Sequence, residues 1–247
     1  MSSNCKILGI SFFNGSLKES LRLSKQGGLV VAPSGPGLAY DLTRCDVYKR
    51  SLLESDLVLP DSGLMCLFQN WFKRQKIKRI SGLNFLKHYL DNYNHHEPFF
   101  WIMPNKAQDK TNRLWLCKNH GFKINDRESY CAPFYNKTGL IQDNILLSMI
   151  NEVKPKTIFI QLGGGVQERL GMFLKENLQY NPTILCTGAA LAFLSGEQVH
   201  IPKWADQLYL GWFFRCFFKP KLYIPRYAKA FRLIFLLVKY GERSPNR

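Results

Sequence analysis

Short apolar runs recur along the chain, each followed within a few residues by a turn signal and then by a pattern of helical period. Leu57-Val58-Leu59 shows the form well: an apolar run reads as a buried strand, Pro60 stops it, Asp61-Ser62-Gly63 follows, and a helical pattern begins at Leu64. The same reading places strands at 7–13, 29–32, 99–103, 129–134, 157–162 and 183–187. Helices are predicted at 16–25, where Ser16-Leu17-Lys18-Glu19 has the form of a capping box, and at 38–54, 64–75, 82–92, 108–119, 140–153 and 166–178. Repeated strand-then-helix units argue for an α/β fold: a mostly parallel sheet with helices on both faces.

In such a sheet, ligands meet the carboxyl ends of the strands. Asp61 stands at one of those ends and is a candidate for contact with substrate, although Asp61 or Ser62 also fits the simpler role of helix cap. The turn-rich segment Pro33-Ser34-Gly35-Pro36-Gly37 falls on the same edge if the strands are parallel. Gly163, Gly164 and Gly165 lie between a strand and a helix, as does Gly188. Glycines there let the backbone approach a phosphate or sugar while helix amides point at it, and they serve equally as plain turns. Arg79 comes just before a helix start at Ser81-Gly82, which makes it an anion candidate. The neighbouring Lys73, Arg74, Lys76 and Lys78 read as a solvated face.

Charge changes this picture. The 247 residues carry 34 Lys and Arg against 18 Asp and Glu, a net charge of +16, which implies an anionic partner: nucleic acid, an acidic membrane face or a phosphorylated substrate. Ten basic and two acidic residues lie from Lys203 onward, so half of the net charge sits in that tail. From Ile201 the tail interleaves those cations with Trp204, Trp212, Phe213, Phe214, Phe217, Phe218, Tyr223, Tyr227, Phe231 and Phe235. Three explanations compete: helices packed on the domain through their aromatics, an interfacial segment on anionic lipid, or stacking on single-stranded nucleic acid. No RNA or DNA motif accompanies the aromatics, so nucleic acid is not expected. The chain is accordingly divided into an α/β domain at 1–200 and a basic aromatic appendage at 201–247.

The seven cysteines are scattered and never spaced C-x-x-C, which suggests neither a disulfide framework nor a zinc site, and the adjacent His95-His96 reads as a solvated pair. No metal and no cofactor is expected. Residues 1–6 lack the form of a secretory signal and no apolar run approaches the length of a membrane span, so a cytoplasmic, peripheral location is expected.

Several segments, taken in order, resemble the WecG/TagA/CpsF glycosyltransferase family. Asp56-Leu57-Val58-Leu59-Pro60-Asp61-Ser62-Gly63 is similar to that family's A-D-L-V-L-P-D-G, Arg79-Ile80-Ser81-Gly82 to its R-V-x-G, and Gly163-Gly164-Gly165-Val166-Gln167-Glu168 to its G-A-P-K-Q-E. Later come Phe193-Leu194-Ser195-Gly196, Pro202-Lys203-Trp204, Gly211-Trp212-Phe213-Phe214-Arg215 and Arg226-Tyr227, in the order of its F-L-A-G, A-P-x-W, L-E-W-x-x-R and R-R-Y. The resemblance implies transfer of a sugar from a nucleotide-sugar donor to a polyprenyl-diphosphate-linked acceptor in surface polysaccharide synthesis, at the inner face of the plasma membrane. It implies Asp61 as general base, Ser34, Gly163, Gly164, Gly165, Gln167, Glu168 and Gly188 around the donor, and Arg79, Arg215 and Arg226 on diphosphate groups. It also implies no metal requirement; the basic tail points to an anionic membrane surface as partner, and the oligomeric state stays open between monomer and homo-oligomer.

The chain departs from the family pattern at Ala32-Pro33-Ser34, where the family has T-P-N, and at Ala192, where it has an aspartate. Leu210-Gly211-Trp212 replaces L-E-W, and Met103-Pro104-Asn105 replaces a glycine-rich turn. Loss of a hydroxyl and a carboxylate keeps open an alternative function, that of a non-catalytic relative which binds a nucleotide sugar or an assembly partner.

Overall fold

The computed structural model describes residues 4–196 and 231–245, with the single positions 217, 221 and 228. Eight strands form one sheet: β1 (Cys5–Ile7), β2 (Ile10–Phe12), β3 (Gly28–Val31), β4 (Leu57–Val58), β5 (Phe99–Met103), β6 (Ser129–Cys131), β7 (Thr157–Ile160) and β8 (Thr183–Cys186). Their order is β1-β2-β4-β3-β8-β7-β5-β6, and every pairing is parallel except β1 with β2. The expected α/β class, with its mostly parallel sheet, is what the chain forms.

Period-two alternation within each strand divides the core into two layers. Leu29, Val31, Val58, Ile102, Ile158, Ile160, Ile184 and Cys186 face one layer. Val30, Leu57, Trp101, Phe159 and Leu185 face the other. The second layer is aromatic: Trp101 and Phe159 stack with centroids 4.0 Å apart, and Tyr89, Tyr93, Phe99 and Phe122 close around them edge-on. The helices that cover the sheet are α1 (Leu17–Ser24), α2 (Leu42–Arg44), α3 (Asp46–Leu53), α4 (Gly63–Phe72), α5 (Gly82–Asp91), α6 (Lys106–His120), α7 (Asn144–Val153), α8 (Val166–Asn177), α9 (Ala190–Leu194) and α10 (Arg232–Tyr240).

The strand expected at 129–134 stops at Cys131 and the helix expected at 140–153 starts at Asn144; two other elements differ in kind from their sequence patterns. The run 7–13 is not one strand but the hairpin β1–β2, turned by Leu8 (φ 52°) and Gly9 (φ 81°). The cause is remote: the amides of Leu8 and Gly9 donate to the carbonyls of Gly241 (2.8 Å) and Glu242 (2.9 Å), so the end of the chain satisfies the turn. The pattern 38–54 is not one helix. It begins as a π-helical turn, Gly37–Asp41, passes into α2, breaks at Cys45 (φ −130°) and restarts as α3, with Cys45 Sγ accepting the Tyr48 amide at 3.5 Å.

α10 belongs to the first core layer. Leu233, Leu236 and Leu237 are buried there with Leu38 of the π-turn and Met65 and Phe68 of α4. Arg232 fixes its start, donating to Thr43 Oγ1 (3.2 Å) and lying over the Tyr40 ring, which also carries Arg44. No helix among the described residues is long and apolar enough to cross a membrane.

Candidate active site

Because β2 to β8 all run the same way, the segments after β4, β3, β8 and β7 emerge side by side on one edge, in that spatial order. Asp61, Ser34, Gly188 and the turn Gly163–Gly165 therefore share that rim. The loop after β3 bridges the row. A Cβ placed on Gly35 would lie 3.1 Å from Ser62 Oγ on one side, and a Cβ placed on Gly164 would lie 3.8 Å from Ser34 Oγ on the other.

At the β4 end, Ser62 and not Asp61 caps α4, accepting the Met65 amide at 3.4 Å. Asp61 turns instead to the next helix. Its Oδ1 accepts the Gly82 amide at the start of α5 (3.1 Å), while Arg79 Nε donates to the Asp61 carbonyl (2.8 Å) and Nη2 lies 3.9 Å from Oδ1. The close approach of α5 depends on Gly82, where a Cβ would stand 3.2 Å from both the Ala32 methyl and the Thr187 carbonyl. The carboxylate and the guanidinium remain 24% and 18% exposed, so both border solvent. An acid at a strand end, backed by a helix N-terminus and flanked by a guanidinium, suits proton abstraction next to an anion.

At the β7 end the glycine turn is built from below. Gly165 (φ 86°) takes a conformation that L side chains rarely adopt, and its amide donates to Glu168 Oε2 at 2.7 Å. The amides of Val166 and Gln167 both donate to the Gly163 carbonyl (3.2 Å). The first amides of α8 are thus engaged within the turn, and the backbone it shows to solvent is that of Gly163 and Gly164. Gln167 and Glu168, which the family resemblance puts by the donor, are buried behind this surface. Glu168 Oε1 accepts Gln167 Nε2 (3.0 Å), and Gln167 Oε1 accepts the Gly188 amide (2.7 Å), so one relay ties the β7 turn to the β8 turn. Burial pushes the Glu168 carboxyl up to about 7, against the hydrogen bonds from Gln167 and Gly165 that favour its ionised form, and the nearby Asp41 carboxylate adds to the rise. The same burial raises the Tyr48 hydroxyl and the Cys186 thiol beneath the turn.

Two residues of this site carried no signal in the sequence. Asp41, at the end of the π-turn, brings Oδ2 to 3.2 Å from where a Cβ on Gly165 would be. Arg169 is a fully buried cation whose guanidinium donates to the carbonyls of Gly165, Gly139 and Asn136, each at 2.7 Å. It clamps the loop before α7 onto the glycine turn, and burial lowers its pKa. A helical-period reading gives Asp41 and Arg169 only helix positions; what defines them is where the sheet order brings β3 and β7.

Arg215 and Arg226 lie outside the described residues, as do Trp204 and most of the aromatic tail. Ala192 is buried in α9. Among the described residues no three His, Cys, Asp or Glu side chains gather as a metal site. A groove of 640 Å³, lined by Asn125, Glu128, Met149 and Glu152, lies at the amino-terminal ends of β6 and β7, on the rim opposite Asp61.

The model of the Glycosyl transferase WecG/TagA/CpsF family matches residues 5–247. No curated protein matches the chain. The match takes in both halves of the rim, from Asp61 and Arg79 to the Gly163–Glu168 turn, and continues to the last residue. A parallel sheet with its acid and glycine turns on one edge, under a family match of that extent, makes this chain a member of the WecG/TagA/CpsF glycosyltransferases, enzymes of polysaccharide biosynthesis.

Proposed function

We propose that the chain transfers a sugar from a nucleotide-sugar donor to a polyprenyl-diphosphate-linked acceptor, with Asp61 as general base. Family membership implies a glycosyltransferase with a nucleotide-sugar donor and a lipid-linked acceptor. The observation that carries the finer reading is that Asp61, partly exposed beside Arg79, stands on the same strand edge as the exposed backbone of Gly163 and Gly164. Asp61 takes the proton of the acceptor hydroxyl as its oxygen bonds to the anomeric carbon. The bond from that carbon to the donor phosphate breaks, and the nucleoside diphosphate leaves with the electron pair. Arg79, joined in this reading by Arg215 and Arg226, stabilises diphosphate charge; Ser34, Gly163, Gly164 and Gly188 border the donor, while Gln167 and Glu168 hold the turns that touch it. The protein then works peripherally at the inner membrane face, where the acceptor is.

The test is incubation with a panel of nucleotide sugars and a lipid-diphosphate-linked sugar, reading released nucleotide. Turnover with one donor supports the proposal; nucleotide binding by calorimetry with no turnover on any donor supports the alternative of a binding relative, which Ala32 and the buried Ala192 favour. Asp41 supplies a separate check of the donor side. Asp41→Ala is expected to raise the donor KM by about tenfold with kcat changed less than about twofold, because it loosens Gly165 and with it the turn that presents Gly163 and Gly164 to the donor. An unchanged KM places the donor away from this turn.

A further inference from the structure

The side of the molecule beside the acid end of the rim carries a second surface that catalysis does not use. α4 ends in Trp71 and Phe72, which are 76% and 73% exposed although both are large and apolar. Phe72 is stacked on the buried Phe68 at 5.2 Å, so the pair is held out by the helix and not merely loose. Directly after them Lys73, Arg74, Lys76 and Lys78 are all exposed, and none forms an ion pair with a described residue. No Asp or Glu occurs between Asp61 and Asp91. Two anchors fix this basic loop to the body: the buried Ile77, whose amide donates to Asn70 Oδ1 (2.8 Å), and the half-buried Gln75, whose side-chain oxygen accepts from Cys5 Sγ (3.1 Å). α10 packs against α4 and exposes Phe235 and Val238 with Lys239 beside them.

We infer that the tip of α4 and the loop 73–78 form a docking surface for an anionic lipid bilayer, independent of the aromatic tail. Exposed cations next to protruding Trp and Phe match the interface of such a bilayer: the rings enter at headgroup depth and the cations meet lipid phosphates. The exposed aliphatic and aromatic face of α10, alongside, adds apolar area that a lipid interface accepts and that stacking on bases does not use. α4 also sets the distance. Its ten residues span about 15 Å, from the carboxylate of the active site at one end to the aromatic tip at the other. A protein seated on that tip holds Asp61 within a short reach of headgroups, where a lipid-linked acceptor presents its sugar. The inference rests on the proposed acceptor only for its purpose; the binding itself needs no substrate.

The experiment is vesicle co-sedimentation of the full chain with phosphatidylcholine alone and with phosphatidylcholine containing about a third phosphatidylglycerol. It compares the parent, Trp71→Ser with Phe72→Ser, and Lys73→Glu with Arg74→Glu and Lys76→Glu. All five positions are exposed, and circular dichroism verifies that the variants fold. The aromatic variant is expected to lose about tenfold in affinity for the anionic vesicles, and the charge-reversal variant to lose at least as much together with the preference for phosphatidylglycerol. Parent-like binding by both variants overturns the inference, since the tail or another surface then carries the membrane contact. So does parent protein that ignores vesicles but binds single-stranded nucleic acid through these residues, or a parent dimer that the aromatic variant converts to monomer. Absence of turnover with every donor would sink the proposed reaction and leave this result standing.

Discussion

Asp61→Asn is expected to reduce kcat by about 10²–10⁴-fold, the range over which a positioned general base contributes, with the donor KM little changed. The structure shows what the substitution keeps. Ser62 caps α4, so Asp61 is not needed for that helix. Its Oδ1 accepts the backbone amide of Gly82, and the asparagine carbonyl oxygen is able to accept the same bond. The substitution removes the capacity to take a proton together with the charge that faces Arg79, whose Nε keeps its bond to the Asp61 carbonyl. The thermal midpoint of Asp61→Asn is accordingly expected to stay near that of the parent, whereas Asp61→Ala leaves the start of α5 without that acceptor and lowers stability by about 1 kcal/mol. Single-turnover rates with the lipid-linked acceptor measure the first effect and thermal denaturation the second. An Asp61→Asn protein that turns over at the parental rate removes Asp61 from the chemistry and leaves the alignment of the rim without its proposed purpose.

What was legible in the sequence follows from how local each signal is. Strand β5 was readable because Phe99–Met103 is apolar at every position and both faces of a parallel strand are buried. The caps at Ser16, Ser62 and Ser81 were readable because a hydroxyl three residues before its amide is a local device. The hairpin at Leu8-Gly9 was hidden because its hydrogen-bond partners are more than 200 residues away. The π-turn was hidden because nothing in Gly37–Asp41 separates it from ordinary helix. In the site, Asp61 and the glycine turn announce themselves by standing where strands stop. Their adjacency to Ser34 and Asp41 does not, since it depends on β3 lying between β4 and β8, a matter of strand order that periodicity does not encode. The resemblance to a family supplied Gln167 and Glu168, and the structure assigns them a place the motif alone does not: behind the turn, as the struts between β7 and β8.

Those struts make Glu168 the source of a strong pH dependence. Its carboxyl is held near 7 in the folded protein against an ordinary value of 4.5. In the unfolded chain it ionises as pH rises through about 4.5; in the folded chain it keeps its proton until about 7. Between those values the folded state binds more protons than the unfolded one, so stability falls as pH rises, by about 3 kcal/mol across the whole window, and is flat outside it. Glu168→Gln removes the titration. Its amide supplies one acceptor where the ionised carboxylate supplies two, to Gly165 and to Gln167, so the variant also carries an offset of about 1–3 kcal/mol that is separate from the titration. The test therefore lies in the difference between parent and variant. Urea unfolding from pH 4 to 8 is expected to show that difference moving by about 3 kcal/mol in favour of Glu168→Gln as pH rises from 4.5 to 7. Asp41, whose carboxylate faces Glu168 across Gly165, pushes in the same direction, so Asp41→Asn should shift the upper end of the window to lower pH. A parent-minus-variant difference that does not change with pH would mean that Glu168 is ionised throughout, and that the turn bearing Gly163 and Gly164 rests on a carboxylate already fully compensated by its two amide donors.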